Sequence, residues 1–259
     1  LQREARDRPG EAEALRELGF LHWRLGQPGA ALELSRQALA LHRSLGDVAG
    51  EATALHNLAE IHRGLGSTVQ ALELYRDALR LHWAVRNPAG EILTRFGMAG
   101  ALLHVGQPGE ATHEYQAALE MSERHGEHTM HARVLQALAT LAHSQGGLDD
   151  ALRYMRRAVA IDRSINYAHA LGHDLVALSV IHQQRNERTE ARAALQEALV
   201  WFEYTDDLRD AASVRRRLDD LEAGHAPEPA SPGWVMSHLP LPEGKVYCAF
   251  ESPLAQPRR

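Results

Sequence analysis

One cysteine in 259 residues, Cys248, rules out any disulfide within the chain and fits a reducing, cytoplasmic setting. There is also one lysine, Lys245, against 27 arginines, a bias that points to a GC-rich, bacterial genome. Aromatic residues are scarce at 5%, while alanine and leucine dominate, as in helix-rich chains. No apolar run approaches the roughly eighteen residues that a membrane-spanning helix needs, and no signal-peptide pattern opens the chain. Neither sign of charge predominates locally. The net charge of −6, with both signs interspersed, excludes the basic footprint expected of a nucleic-acid binder.

Catalytic motifs are missing as well. There is no GxSxG elbow, no phosphate-cradling GxxxxGK[ST] and no GxGxxG at a strand–helix turn, so no enzyme is expected. Sixteen histidines invite a metal hypothesis. The densest group is His125, His128 and His131 with Glu127, but no cysteine and no HExxH helix accompanies it, and zinc needs ligands converging from fixed positions. No metal and no cofactor are therefore expected.

What is present is a repeat of forty residues. Five copies align without insertion or deletion: Arg8–Asp47, Val48–Asn87, Pro88–Glu127, His128–Tyr167 and Ala168–Asp207. One column reads Ala31, Ala71, Ala111, Ala151, Ala191, and another Gly26, Gly66, Gly106, Gly146, Asn186. Each copy holds two amphipathic runs. In the second copy, Leu55, Leu58, Ala59, Ile61 and His62 share one helical face, Gly66 ends the run, and Ala71, Leu72, Tyr75, Ala78 and Leu79 form the apolar face of the next. Ala59 and Ala71 fall where the two helices would cross, and small side chains there let the axes approach. A lone helix pair cannot bury both of its faces, so the copies must stack.

These columns resemble the tetratricopeptide repeat. Leu58-Ala59, Ala71, Tyr75 and Ala78 match its pattern in the second copy, as do Met98-Ala99, Ala111, Tyr115 and Ala118 in the third. The period is forty rather than the family's usual ~34. That is similar to the longer-helix variety of Pins-type scaffolds, Rap-type bacterial regulators and the sensor arms of bacterial STAND ATPases. The resemblance implies an all-α, right-handed superhelical solenoid of antiparallel helix pairs, whose first helices line a concave groove for a protein or peptide partner. Carrying the family's groove positions across gives Arg16, Phe20, Trp23, Arg24, His56, Asn57, Glu60, Arg63, Phe96, Gly97, Gly100, Leu103, His104, Arg133, Gln136 and His143. Asn57 falls where the family often holds a bound peptide's backbone. Phe96 and Leu103, with Gly97 and Gly100 between them, are expected to form an apolar dent in the wall. His22, His62 and His182 are expected as half-buried packing residues, and His42 and His82 as surface or groove-edge residues.

The flanks have their own signals. Residues 1–7 align under residues 41–47 and read as the end of a preceding repeat helix, which suggests a fragment of a longer protein. Leu208–Gly224 reads as a capping helix. Residues 225–259 hold seven of eleven prolines and read as a linker and a β-prone tail that could form a hairpin. The reading favoured is a sensor or scaffold arm of a larger bacterial regulator. Self-assembly through the convex face or the tail, as a homodimer or with the tail in the groove, and a ligand-responsive switch are the alternatives.

Overall fold

The computed structural model describes residues 8–224. The two flanking expectations, a helix end at residues 1–7 and a hairpin at residues 225–259, lie outside the described residues. Within them the chain is all-α: α1 (Arg8–Arg24), α2 (Pro28–Leu45), α3 (Val48–Gly64), α4 (Thr68–Ala84), α5 (Pro88–His104), α6 (Pro108–Arg124), α7 (His128–Ser144), α8 (Leu148–Ser164), α9 (Ala168–Gln184), α10 (Arg188–Tyr204) and α11 (Leu208–Ala223). First helices begin at residues 8, 48, 88, 128, 168 and 208, so the forty-residue sequence period is also a helix-pair period.

The backbone shows a period half as long. Gly26, Gly46, Gly66, Arg86, Gly106, Gly126, Gly146, Asn166, Asn186 and Asp206 all have positive φ, one in every turn between helices. Each turn closes in the same way. The amide of Asp47 donates to the His42 carbonyl at 3.0 Å and that of Gly46 to the Arg43 carbonyl at 3.1 Å. These are the paired bonds that satisfy the last carbonyls of a helix whose following residue is left-handed. Asn87 repeats the bond of Asp47, to the His82 carbonyl at 2.9 Å, and Asn186 repeats that of Gly46, to the Gln183 carbonyl at 2.9 Å. Some starts are fixed by side chains or proline: Asp47, Asn87 and Asp207 accept from the amides of Gly50, Gly90 and Asp210, and Pro28 and Pro88 occupy first-turn positions whose N–H would be unpaired.

The described residues form two compact units, divided between Met121 and Ser122 in the last turn of α6. In the first unit α1 pairs with α2 and α3 with α4, and each pair packs on the next. The joint between α2 and α3 is apolar: Leu39 meets Ala54, Leu55 and Leu58, and Ala31 meets Ile61, with Leu32 along both groups. Ala59, Ala71 and Ala78 have no exposed surface, as their place at the helix crossings requires. Tyr75 and Tyr115 are buried between the helices of their own copies. In the second unit α7 pairs with α8 and α9 with α10, and α11 packs on α10 through Ala211 and Val214. The tyrosine column there becomes Met155 and Leu195, which are equally buried. No described helix is long and apolar enough to cross a membrane.

Candidate functional site

Buried polar side chains concentrate on the first helices: His56, Asn57 and Glu60 on α3, Glu91 and Thr94 on α5, His131, Arg133 and Gln136 on α7, Asp174, Ser179 and His182 on α9. Removing such groups from water is unfavourable unless each finds a hydrogen bond. The first helices of each unit are therefore built around specific polar contacts.

In the first unit α1, α3 and α5 lie side by side, and the centre of their wall is an ionic cluster. The Arg63 guanidinium donates to Glu60 Oε2 at 2.7 Å, and the Tyr75 hydroxyl donates to Glu60 Oε1. Burial would push the Glu60 carboxyl up, but the charges of Arg63 and His56 and the bonds from Arg63 and Tyr75 outweigh it and hold Glu60 below the usual range. Burial and the Glu60 charge raise the Tyr75 phenol well above its ordinary value. Tyr75 is thus kept protonated, as a donor. His56 lies beside this cluster, its Nδ1 3.3 Å from the Thr94 hydroxyl of α5 and its ring 5.7 Å from that of Tyr75. Burial lowers the His56 pKa more than the Glu60 charge raises it.

The glycines of α5 differ in purpose. A Cβ at Gly97 would lie 2.5 Å from Glu60 Oε1 and 2.9 Å from the Tyr75 hydroxyl, so Gly97 makes room for the cluster. Gly100 is buried as well, but a Cβ there would stand 3.9 Å from the Tyr115 hydroxyl, in ordinary van der Waals contact, so a methyl group fits without displacing a neighbour.

The other expected wall residues fall into three groups. Asn57 is buried on α3. Arg16 is buried on α1, its Nε donating to Glu13 at 2.9 Å. Phe20, Leu103 and His143 are half-buried, and Arg24 and His104 are exposed. Two aromatic residues do not project from the wall as expected. Trp23 is 2% exposed and belongs to the core with Ala31 and Ile61; its ring occupies the space where a Cβ on Gly64 would stand, 2.3 Å from it. Phe96 is 7% exposed, tilted against Tyr115 of its own copy with ring centres 5.5 Å apart, so it does not form an exposed apolar pair with Leu103.

In the second unit Arg133 and Gln136 are buried on α7. The Gln136 amide nitrogen donates to Asp174 Oδ2 of α9 at 3.0 Å and to Asp162 Oδ2, in the last turn of α8, at 3.3 Å. The two carboxyls thus share one amide donor, and their close approach disfavours ionising both. Burial pushes Asp162 up to about 7. Burial and the charge of Asp162 push Asp174 well above the usual carboxylate range.

His42 and His82 are the clearest correction. Both were expected at the surface or the groove edge, and both are 2% exposed. Each ring is clamped between the end of its own helix and the start of the next. His42 Nδ1 lies 2.9 Å from Asp47 Oδ2, while Asp47 Oδ1 accepts from the Gly50 amide at 2.9 Å. His82 Nδ1 lies 3.3 Å from the Asn87 amide nitrogen, while Asn87 Oδ1 accepts from the Gly90 amide at 3.0 Å. Gly50 and Gly90 are small because the rings press on them: a Cβ would lie 2.1 and 2.3 Å from Nδ1. His22 and His62 are half-buried as expected, and His182 is buried, its Nδ1 2.6 Å from Glu187. Among the described residues no group of three or more His, Cys, Asp or Glu side chains is placed to hold a metal ion.

Comparison with known proteins agrees with this geometry. Human tetratricopeptide repeat protein 19, a mitochondrial protein, is 34% identical over 128 residues, which are 49% of this chain and 33% of that protein. The chain thus spans about a third of the curated relatives it matches. The STAND signal transduction ATPase of Pyrococcus horikoshii, which carries a tetratricopeptide repeat sensor, superposes with a TM-score of 0.72 at 16% identity over 85% of this chain and 34% of that one. A Rap protein complexed with competence and sporulation factor gives a TM-score of 0.61 at 15% identity, over 83% of this chain and 64% of that one. These two likenesses concern the fold. The tetratricopeptide repeat family model matches residues 2–82 and 91–164. A period read in the sequence, repeated in the backbone turns and matched over more than half of the chain by the family's own model places this protein in the tetratricopeptide repeat family.

Proposed function

We propose that this chain is a non-catalytic protein- or peptide-binding module, the sensor or scaffold part of a larger bacterial regulatory protein of the cytoplasm. The partner lies along the wall of first helices. In the first unit it meets Arg16, Phe20 and Arg24 on α1, His56, Asn57 and Arg63 on α3, and Gly100, Leu103 and His104 on α5. In the second unit it meets Arg133, Gln136 and His143 on α7. The observation that carries this reading is the concentration of buried polar side chains on the first helices, with the half-buried or exposed Phe20, Arg24, Leu103 and His104 on the same helices. Family membership supports the reading, as does the fold likeness to a sensor-bearing ATPase and to a Rap protein complexed with a factor.

The proposal is tested at accessible wall residues. Arg24→Glu and Leu103→Asp should each weaken capture of a display-selected peptide while leaving helicity and melting close to wild type. Unchanged capture by both variants would remove the wall from the account.

A second reading, self-assembly as a homodimer, has one observation in its favour. Val200, Tyr204 and Leu208 are exposed at 62, 74 and 68% along the α10–α11 edge. The same positions in the third copy are Glu120, Arg124 and His128. Sedimentation of Tyr204→Ser beside wild type decides it.

A further inference from the structure

Three columns of the forty-residue frame meet at the joint between the fourth and fifth copies, where Gln136 of α7, Asp162 of α8 and Asp174 of α9 come together. One copy later, within the same unit, those columns hold Val176, Phe202 and Val214, and Phe202 and Val214 are each 1% exposed. The repeat thus accepts an apolar filling at the equivalent joint. Between α7, α8 and α9 it instead encloses two carboxyls, with one amide nitrogen donating to both. Among the described residues no cation pairs with either carboxyl.

The other titratable and charged groups on the packed elements have their own engagements. Arg133 of α7 and Tyr167 of the α8–α9 turn interact electrostatically, and Tyr167 also feels the charge of Asp162. His131 of α7 lies 3.0 Å from the Ser122 hydroxyl and 3.5 Å from Arg157 of α8. Arg163 of α8 pairs with Glu197 of α10, and His173 of α9 with Asp210 of α11. A buried carboxyl pair without a counter-charge costs stability that packed apolar side chains would not. It is tolerable only while one carboxyl is neutral, because two negative charges this close repel with little water to screen them.

We propose that the joint between the fourth and fifth copies is a proton-operated hinge, in which α9 stays closed on α7 and α8 while Asp162 or Asp174 keeps a proton, and opens away from them when both carboxyls are ionised. The closed joint holds the proton and the open joint hydrates both charges, so proton loss biases the joint towards opening. α10 pairs with α9 and follows it. Burial pushes Asp162 up to about 7 and Asp174 up as well, so closure is favoured below neutral pH and is lost as the pH rises through and above it. The hinge does not depend on a partner at the wall.

The test uses the full chain with Cys248→Ser and two spin labels, at Arg156→Cys on α8 and Glu190→Cys on α10, both exposed positions. Electron–electron double resonance is read at about pH 5.5 and about pH 8.5, on either side of the transition. The expected result is one distance at the lower pH and a second, longer component at the higher, absent in Asp174→Asn and in Asp162→Asn. The second variant guards against misfolding of the first. A label pair across the apolar joint, Gln196→Cys on α10 and Asp219→Cys on α11, shows no change. Identical distributions at the two pH values in wild type overturn the proposal, as does a change that both variants retain. Loss of helicity throughout the chain at the higher pH overturns it too, since the pair would then act on global stability alone.

Discussion

Gly97 of α5 stands against Glu60 of α3 so closely that a Cβ on Gly97 would lie 2.5 Å from Oε1. Alanine is the better helix former by about 1 kcal/mol, yet Gly97→Ala is expected to destabilise the protein by about 2 kcal/mol. The added methyl displaces a buried carboxylate from its bonds to Tyr75 and Arg63. Chemical denaturation of Gly97→Ala beside Gly100→Ala checks this: the second substitution meets no close neighbour among the described residues and should be neutral or stabilising.

Among the described residues Arg86 is the one long side chain held at positive φ, at 55°, in a turn where other copies place Gly126 or Gly46. A left-handed residue with a Cβ is disfavoured by about 1–2 kcal/mol. Arg86→Gly should therefore stabilise by about 0.5–1 kcal/mol, less than the full strain because glycine also gains freedom when unfolded. Gly66→Ala, at φ 79° with no described atom within 4 Å of its Cβ position, should destabilise by about 1 kcal/mol through backbone strain alone. Thermal melts of the two variants should shift in opposite directions.

The Asp162–Asp174 pair fixes the direction of a pH dependence. Both carboxyls are raised in the fold, Asp162 to about 7, and both titrate near 4 when unfolded. The folded state then binds more protons between about pH 4 and 7. The stability this pair contributes is complete below that window and is lost as the pH rises through it. Asp174→Asn keeps a hydrogen-bonding side chain without the charge. It should flatten that slope and leave the variant more stable than wild type at pH 8; superimposable profiles of unfolding free energy against pH would contradict the assignment.

His82 and His42 occupy equivalent junctions with opposite proton roles. Asn87 donates to His82 Nδ1, which must be unprotonated, whereas Asp47 accepts from His42 Nδ1. Burial, with a smaller contribution from His56, lowers His82 to about 4. The unfolded imidazole takes a proton near 6.5, so the stability due to a neutral His82 is present above that pH and is lost as pH falls towards 4. Asn87→Asp recreates the first copy's junction. It should raise the His82 pKa in an NMR titration and move the acid unfolding midpoint to lower pH.

The repeat frame was legible because it is local. Glycine or asparagine at helix ends and alanine at helix crossings recur at fixed spacing, and each has a steric reason within its own pair. The polar interior was less so. His42 and His82 look like surface residues on a helical wheel, and only the partner five residues on, beyond the turn, shows why they are buried. Asp162 had a faint signal: its column reads His42, His82, Ser122, Asp162, Phe202, polar in four of five copies at a position that is buried throughout. Gln136 bonds to both Asp162 and Asp174 and so links three helices, which no local pattern encodes. Trp23 was misplaced for a related reason. It shares a column with the half-buried Arg63, Leu103 and His143, but here Gly64 lets the ring turn into the joint between α1 and α3.

The central claim is that a partner lies on the wall of first helices. Isothermal titration of a display-selected peptide into the full chain tests it most directly, with wild type, Arg24→Glu, Leu103→Asp and Tyr204→Ser compared under one buffer. The account predicts at least about tenfold weaker binding for the first two variants, roughly 1.4 kcal/mol each, and no weakening for Tyr204→Ser. Wild-type affinity in Arg24→Glu and Leu103→Asp, with binding lost in Tyr204→Ser, would contradict it and move the site to the α10–α11 edge.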